Sequence, residues 1–211
     1  MGGLFPTATV ITPGTTVLSF AVTGTTTCGA GVCSPSGGIV ADGANLPFVV
    51  GPTTGTDITA NGSNGISGIK FTGAQMFLVG LFLDASTPTG TGPFTPTFVS
   101  SGGTYNADTA TSFPAFFLGQ VFYIGDGKTG YNNPAGTTQL WNVPSGATRL
   151  FLGFADAFNN FTGAWGAYGD NGGSLNVTIT GIVPASVPEP GTIMLMGLGL
   201  AGLALLRKKA A

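Results

Sequence analysis

Leu175-Asn176-Val177-Thr178-Ile179-Thr180 alternates apolar and polar side chains, and Leu150-Phe151-Leu152-Gly153-Phe154, which follows Arg149, places Leu150, Leu152 and Phe154 at every second position. Successive side chains on a strand point to opposite faces, so both runs predict strands with one face toward a core. Similar runs occupy residues 17–22, 69–71, 76–83, 94–99, 116–124 and 139–143, separated by clusters of Gly, Pro, Asn and Thr. Gly125-Asp126-Gly127 and Pro144-Ser145-Gly146 supply turn chemistry between them. No stretch before the C-terminal tail has a convincing helical period. About eight strands in roughly 180 residues predict an all-β body, an antiparallel β-sandwich of jelly-roll type. The runs at 76–83 and 116–124 are expected as its central strands. Segments 41–64 and 86–112, rich in Gly, Thr, Pro and Ser, are expected as surface loops. No internal repeat is apparent.

Composition agrees with a folded chain of low surface charge. Of 211 residues only 7% are charged, but 10% are aromatic, enough to build a packed core. Before Pro188 the basic residues are Lys70, Lys128 and Arg149, against seven aspartates, a net of −4. Such a surface offers no basic patch to phosphate backbones, which argues against nucleic acid as a partner.

The chain has no histidine, which excludes Ser-His-Asp and Cys-His catalysis, and it has no Gly-x-Ser-x-Gly elbow or phosphate-binding loop. Glycoside hydrolysis needs two converging carboxylates, and the only glutamate, Glu189, lies in the tail. The expectation is a protein that is not an enzyme, with a polysaccharide-active enzyme as the third-ranked reading. Cys28 and Cys33 stand in a Gly-rich stretch. An even count in an exported chain predicts one local disulfide between them, whereas a zinc site needs further ligands that histidine does not supply.

The tail reads separately. Residues 191–206 carry no charge, and Arg207-Lys208-Lys209 follow at once. As a helix the apolar stretch spans roughly 25 Å, just long enough to cross a membrane with its basic end in the cytoplasm. The expected organisation is an extracellular β-sandwich at 1–183, a linker at 184–190, a transmembrane helix at 191–206 and a basic cytoplasmic tail at 207–211. Pro188-Glu189-Pro190, the apolar run and the closing Arg207, Lys208 and Lys209 together resemble the PEP-CTERM sorting signal of bacterial surface proteins. The resemblance implies an exosortase as partner, anchoring in the inner membrane before processing, and export to the cell surface or extracellular matrix. Met1 to Pro6 contains no basic start followed by an apolar run, so the chain is read as a mature form with its sorting tail.

Asp156 closes one predicted strand, and Asp170-Asn171 stands just before another. Carboxylate and amide oxygens at one edge of a sandwich suit calcium, which takes six to eight oxygen ligands, although Asp, Asn and Gly are also ordinary turn residues. The order of strand, Asp156, Tyr168-Gly169-Asp170-Asn171-Gly172-Gly173-Ser174 and strand is similar to the C-terminal half of the PA-I type galactophilic lectins. It also resembles a group of PEP-CTERM proteins through Val143-Pro144-Ser145-Gly146-Ala147-Thr148-Arg149-Leu150-Phe151-Leu152-Gly153. The resemblance implies a lectin-like body with calcium held by the side chains of Asp156, Asp170 and Asn171. Backbone carbonyls of Ala167 and of the residue near Cys28 would complete the shell, and sugar hydroxyls would bind the metal directly. The link from Asp156 to Tyr168 is longer than in the lectins, so Asn159 or Asn160 could replace Asp156, and the lectins' sugar-edge histidine is missing. Trp165 and Tyr168 in this loop are candidates to stack on a sugar, while Phe158 and Phe161 read better as cover for the end of the sandwich.

Two functions are therefore expected ahead of the enzyme: a calcium-stabilised surface lectin binding carbohydrate or exopolysaccharide, and a structural or adhesive matrix protein that binds no sugar. A homo-oligomer stays open.

Overall fold

Phe77–Leu83 (β7) is apolar on both sides and buried along nearly its whole length, which places it inside a sheet with both faces covered. It pairs antiparallel with Arg149–Ala155 (β13), from Arg149 opposite Leu83 to Ala155 opposite Phe77. On its other side lies Val121–Tyr123 (β11), and Thr9–Val10 (β1) extends β13, giving the order β1-β13-β7-β11. The computed structural model describes residues 8–27, 38–45, 55–58, 64–72, 74–100, 102–103, 105–156 and 171–182.

The second sheet is built on a long hydrogen-bonded pair. Val17–Thr27 (β2) runs antiparallel to Gly172–Ile182 (β14) over eleven residues. The expected alternation in β14 holds: Leu175, Val177 and Ile179 are half-buried against the core, while Asn176, Thr178 and Thr180 are exposed. Leu140–Asn142 (β12) and Ser112–Phe113 (β10) complete the order β10-β12-β2-β14. A third sheet has the order Gly55–Asp57 (β4), Lys70–Thr72 (β5), Thr97–Val99 (β8) and Tyr105–Asn106 (β9), and Ala44–Asn45 (β3) pairs with Ala74–Gln75 (β6).

The all-β class holds, and no helix occurs among the described residues. The strictly antiparallel expectation does not, because β10–β12, β5–β8 and β8–β9 are parallel. Between β5 and β8 the chain passes through β7 in the first sheet, a crossover that returns it in its original direction. Two expected strands are shorter than their apolar runs: 94–99 narrows to Thr97–Val99, and 116–124 to Val121–Tyr123. Pro96 and Pro114, which lack an amide donor for a ladder, stand in or beside those runs. Segment 41–64 is more than surface loop, since Ala41 and Asp42 are each 3% exposed. The expected membrane helix at 191–206 lies outside the described residues; within them, no helix is long and apolar enough to cross a membrane.

Aromatic rings join the three sheets into one core. Phe82, Phe122 and Phe116 form a stack with centroids 4.8 and 4.9 Å apart. Phe98 contacts Phe71, Phe113, Phe116 and Tyr123. In the second sheet Trp141 packs on Phe20 and Phe113, and its indole N–H donates to the Tyr123 carbonyl at 3.0 Å. Gly80 makes the ring stack possible: a Cβ there would lie 2.4 Å from Phe122 Cζ.

Gly80→Ala is therefore expected to lower stability by about 1–3 kcal/mol, the usual cost of overpacking. Combining it with Phe122→Leu should destabilise less than the two single effects added together, because the shorter side chain vacates the contested space. Urea unfolding of the four chains measures this, and simple additivity would count against the steric account.

Candidate functional site

The C-terminal end of β13 and the N-terminal end of β14 open on the same end of the body. Residues 38–45 cross between their sheets there. Ile39 exchanges backbone hydrogen bonds with Thr26 of β2 at 2.7 and 2.8 Å, and the Ala41 carbonyl accepts from Leu78 N of β7 at 2.8 Å. Thr26 is next to Thr27, the partner of Gly172, and Leu78 is next to Phe77, the partner of Ala155. This crossing sets the C-terminal end of β13, which Asp156 follows, and the N-terminal end of β14, which Asn171 precedes, at the same end of the body. Asp156 is half-buried, and Asn171 presents a buried Oδ1 that accepts no hydrogen bond among the described residues.

Asp42 is the centre of this end. Its Oδ1 accepts from the Tyr123 hydroxyl at 2.9 Å and from Asp126 N at 2.7 Å, and its Oδ2 accepts from Asn132 N at 2.8 Å. Three donors answer the desolvation of a carboxylate that is only 3% exposed. Gly125 is required beside it: with φ at +62°, a Cβ would lie 2.1 Å from the Tyr123 hydroxyl and 2.3 Å from Asp42 Oδ1. Burial and the Asp42 charge push Asp126 up to about 6, only partly offset by its hydrogen bond from Lys128 N and by the Lys128 charge. Burial and Asp42 also raise Asp108, and burial followed by Asp42 raises the Tyr123 phenol well above its usual range.

Gln139 holds the neighbouring turn. It is fully buried, and its Nε2 donates to the carbonyls of Ala107 at 2.7 Å and Ala110 at 2.8 Å, while its Oε1 has no partner. Among the described residues, no three carboxylates or other ligating side chains gather closely enough to hold a metal.

Of the site residues expected from sequence, Asp156 and Asn171 are among the described residues, the one directly after β13 and the other directly before β14. Asp170, Ala167, Trp165, Tyr168, Cys28 and Cys33 lie outside the described residues, and so do Pro188, Glu189, Pro190, Arg207, Lys208 and Lys209. The Asp42 network was not legible, because Asp42-Gly43 and Gly125-Asp126-Gly127 read as ordinary turn dipeptides. Nor was the exposure of Phe94 and Phe117, which sequence placed within strands. Their rings stand at 57% and 59% exposure and meet edge to face, with centroids 5.8 Å apart.

Comparison with known proteins is informative at the tail alone. Residues 186–209 match the family model of the PEP-CTERM protein-sorting motif. This signal is processed by an exosortase, which supports export through the cell envelope, membrane-anchored processing there and exosortase as a partner. No curated protein and no solved structure matches the chain, so the likeness of the body to PA-I type lectins gains no support from them.

The raised Asp126 carboxyl gives the body a testable pH response. A carboxyl whose folded value lies above its ordinary 3.8 favours the folded state at low pH, and that contribution is lost as pH rises through about 6. Asp108 acts in the same direction. Asp126→Asn keeps an oxygen for Lys128 N but removes the charge, and should stabilise the protein at pH 7.5 by about 1 kcal/mol after allowance for solvent screening. The melting temperature of the variant should vary less than the parent's between pH 4.5 and 7.5, and an unchanged pH profile would refute the assignment.

Proposed function

We propose that this chain is an exported cell-surface or extracellular-matrix protein whose body is a calcium-binding, lectin-like domain for carbohydrate, the cell's own exopolysaccharide in the first place. The observation that carries the metal reading is Asn171 Oδ1, a buried amide oxygen that finds no donor among the described residues. A buried acceptor left unpaired costs roughly 1–3 kcal/mol, and a hard cation is one group that would relieve it. The proposed ligands are the side chains of Asp156, Asp170 and Asn171, with the carbonyls of Ala167 and of a residue near Cys28. Bound calcium would supply a charge on which sugar hydroxyls can sit, and Trp165 and Tyr168 would offer rings to the sugar's apolar face. The first and second sheets, which share one aromatic core with the third, are in keeping with a sandwich of jelly-roll type. The missing histidine and the confinement of glutamate to the tail favour binding over catalysis. Before exosortase processing, residues 191–206 would hold the chain in the inner membrane.

A purely structural or adhesive matrix protein is the second reading. It is favoured by β14, an eleven-residue strand at the edge of its sheet among the described residues, whose outer face presents Ser174, Asn176, Thr178 and Thr180. A polar, uncharged edge of this length suits packing against other chains.

Calcium at a hundredfold excess over its dissociation constant stabilises a protein by about 2.7 kcal/mol, or roughly 5–10 °C for a body of this size. Asn171→Ala and Asp170→Ala should each remove most of that shift in a calcium titration followed by thermal melting. Equal melting temperatures with calcium and with chelator would sink the metal site. Glycan-array binding abolished by a chelator separates the lectin from the structural reading.

A further inference from the structure

We propose that the open cleft beneath Phe94 and Phe117, at the opposite end of the body from Asp156, binds a chain of neutral polysaccharide. The proposal rests on the carbohydrate reading above but moves the main contact with the polymer to a site that needs no metal. β7 and β13 set the separation: Ala155 pairs with Phe77 at the calcium end and Arg149 with Leu83 at the cleft end. Seven residues of strand place the two ends roughly 20 Å apart.

The cleft is built, and is not a chance gap between loops. It has a volume of about 900 Å³, and its walls include Phe94, Phe117, Pro88, Pro144, Asp84 and Thr89. The two ring-bearing segments are clamped by one side chain. Gln120 is 1% exposed; its Oε1 accepts from Phe117 N at 3.1 Å, and its Nε2 donates to the Phe94 carbonyl at 2.9 Å. A buried glutamine with both amide groups satisfied thus holds two phenylalanines that are themselves mostly in solvent. Folding gains little from rings left exposed, whereas a fixed pair of aromatic faces gains when a partner with apolar faces covers them.

Charge selects the partner. Ser86 donates through both N and Oγ to Asp84 Oδ1, at 2.8 and 2.5 Å, and these bonds hold the Asp84 carboxyl below its ordinary value, leaving an ionised acceptor on the wall. A balancing cation stands beside it: Arg149 donates from Nε to the Asp84 carbonyl at 2.7 Å and from a terminal nitrogen to the Ser86 carbonyl. A uronate, sulfated or phosphorylated polymer would gain no net attraction from a wall on which the Asp84 and Arg149 charges offset each other. A neutral polysaccharide presents C–H faces to the rings and hydroxyl donors to Asp84, which satisfies both kinds of wall.

The test uses the full chain in mild detergent, run on native gels containing β-glucan, galactan, mannan or, as the anionic control, alginate, with calcium and with EDTA. The expected result is retardation by at least one neutral polymer in both conditions, weakened roughly tenfold by Phe94→Ala and by Phe117→Ala, and retained by Phe117→Trp. Both alanine variants replace exposed rings and should melt with the parent. Retardation that EDTA abolishes but the alanine variants leave intact would overturn the cleft while preserving the calcium-dependent lectin. Retardation by alginate alone would overturn it, as would a self-associated species that the alanine variants dissociate, which would make a second copy the occupant. No retardation by any neutral polymer would overturn the cleft and the carbohydrate reading together, with the calcium site still judged by its own melting shift.

Discussion

Tyr123 and Asp42 form the contact on which the arrangement of this body depends. The Tyr123 hydroxyl donates to a carboxylate that is almost fully buried, and the Tyr123 carbonyl accepts from the Trp141 indole. One residue thereby connects the first sheet, the second sheet and the segment that crosses between them. The buried carboxylate must keep all three of its donors, because each one lost leaves charge uncompensated in a medium of low dielectric. That requirement fixes the loop carrying Asp126 and Asn132, and it forces glycine at position 125, where any side chain would enter the hydrogen bond.

From this contact the two ends of the body differ in chemistry. One end holds Asp42, a buried carboxylate whose field raises its acidic neighbours Asp108 and Asp126. The other carries an exposed aromatic pair, prolines and one carboxylate beside an arginine that donates to backbone carbonyls. In a chain with 7% charged residues, such separation leaves a buried acid network at one pole and exposed aromatic rings at the other.

Much of the fold was legible wherever one physical pattern dominated locally. The alternation in 175–180 survives in the burial of β14, and the apolar run at 76–83 does become a central strand. The runs holding Phe94 and Phe117 misled, because apolar character there marks an exposed pair clamped by Gln120, and nothing in their spacing tells a ring facing a core from a ring facing solvent. Asp42 misled in the opposite way. Asp-Gly is turn chemistry in any local reading, and only a tyrosine eighty-one positions away makes it a buried acid.

By itself the sequence determined the all-β class and the sorting motif at 186–209, since each is written in neighbouring residues whose periodicity or order carries the signal. Tertiary structure alone decided the parallel pairings, the buried acid network and the aromatic cleft. Those depend on contacts between segments far apart in the chain, where burial is set by what packs on a residue and not by what flanks it.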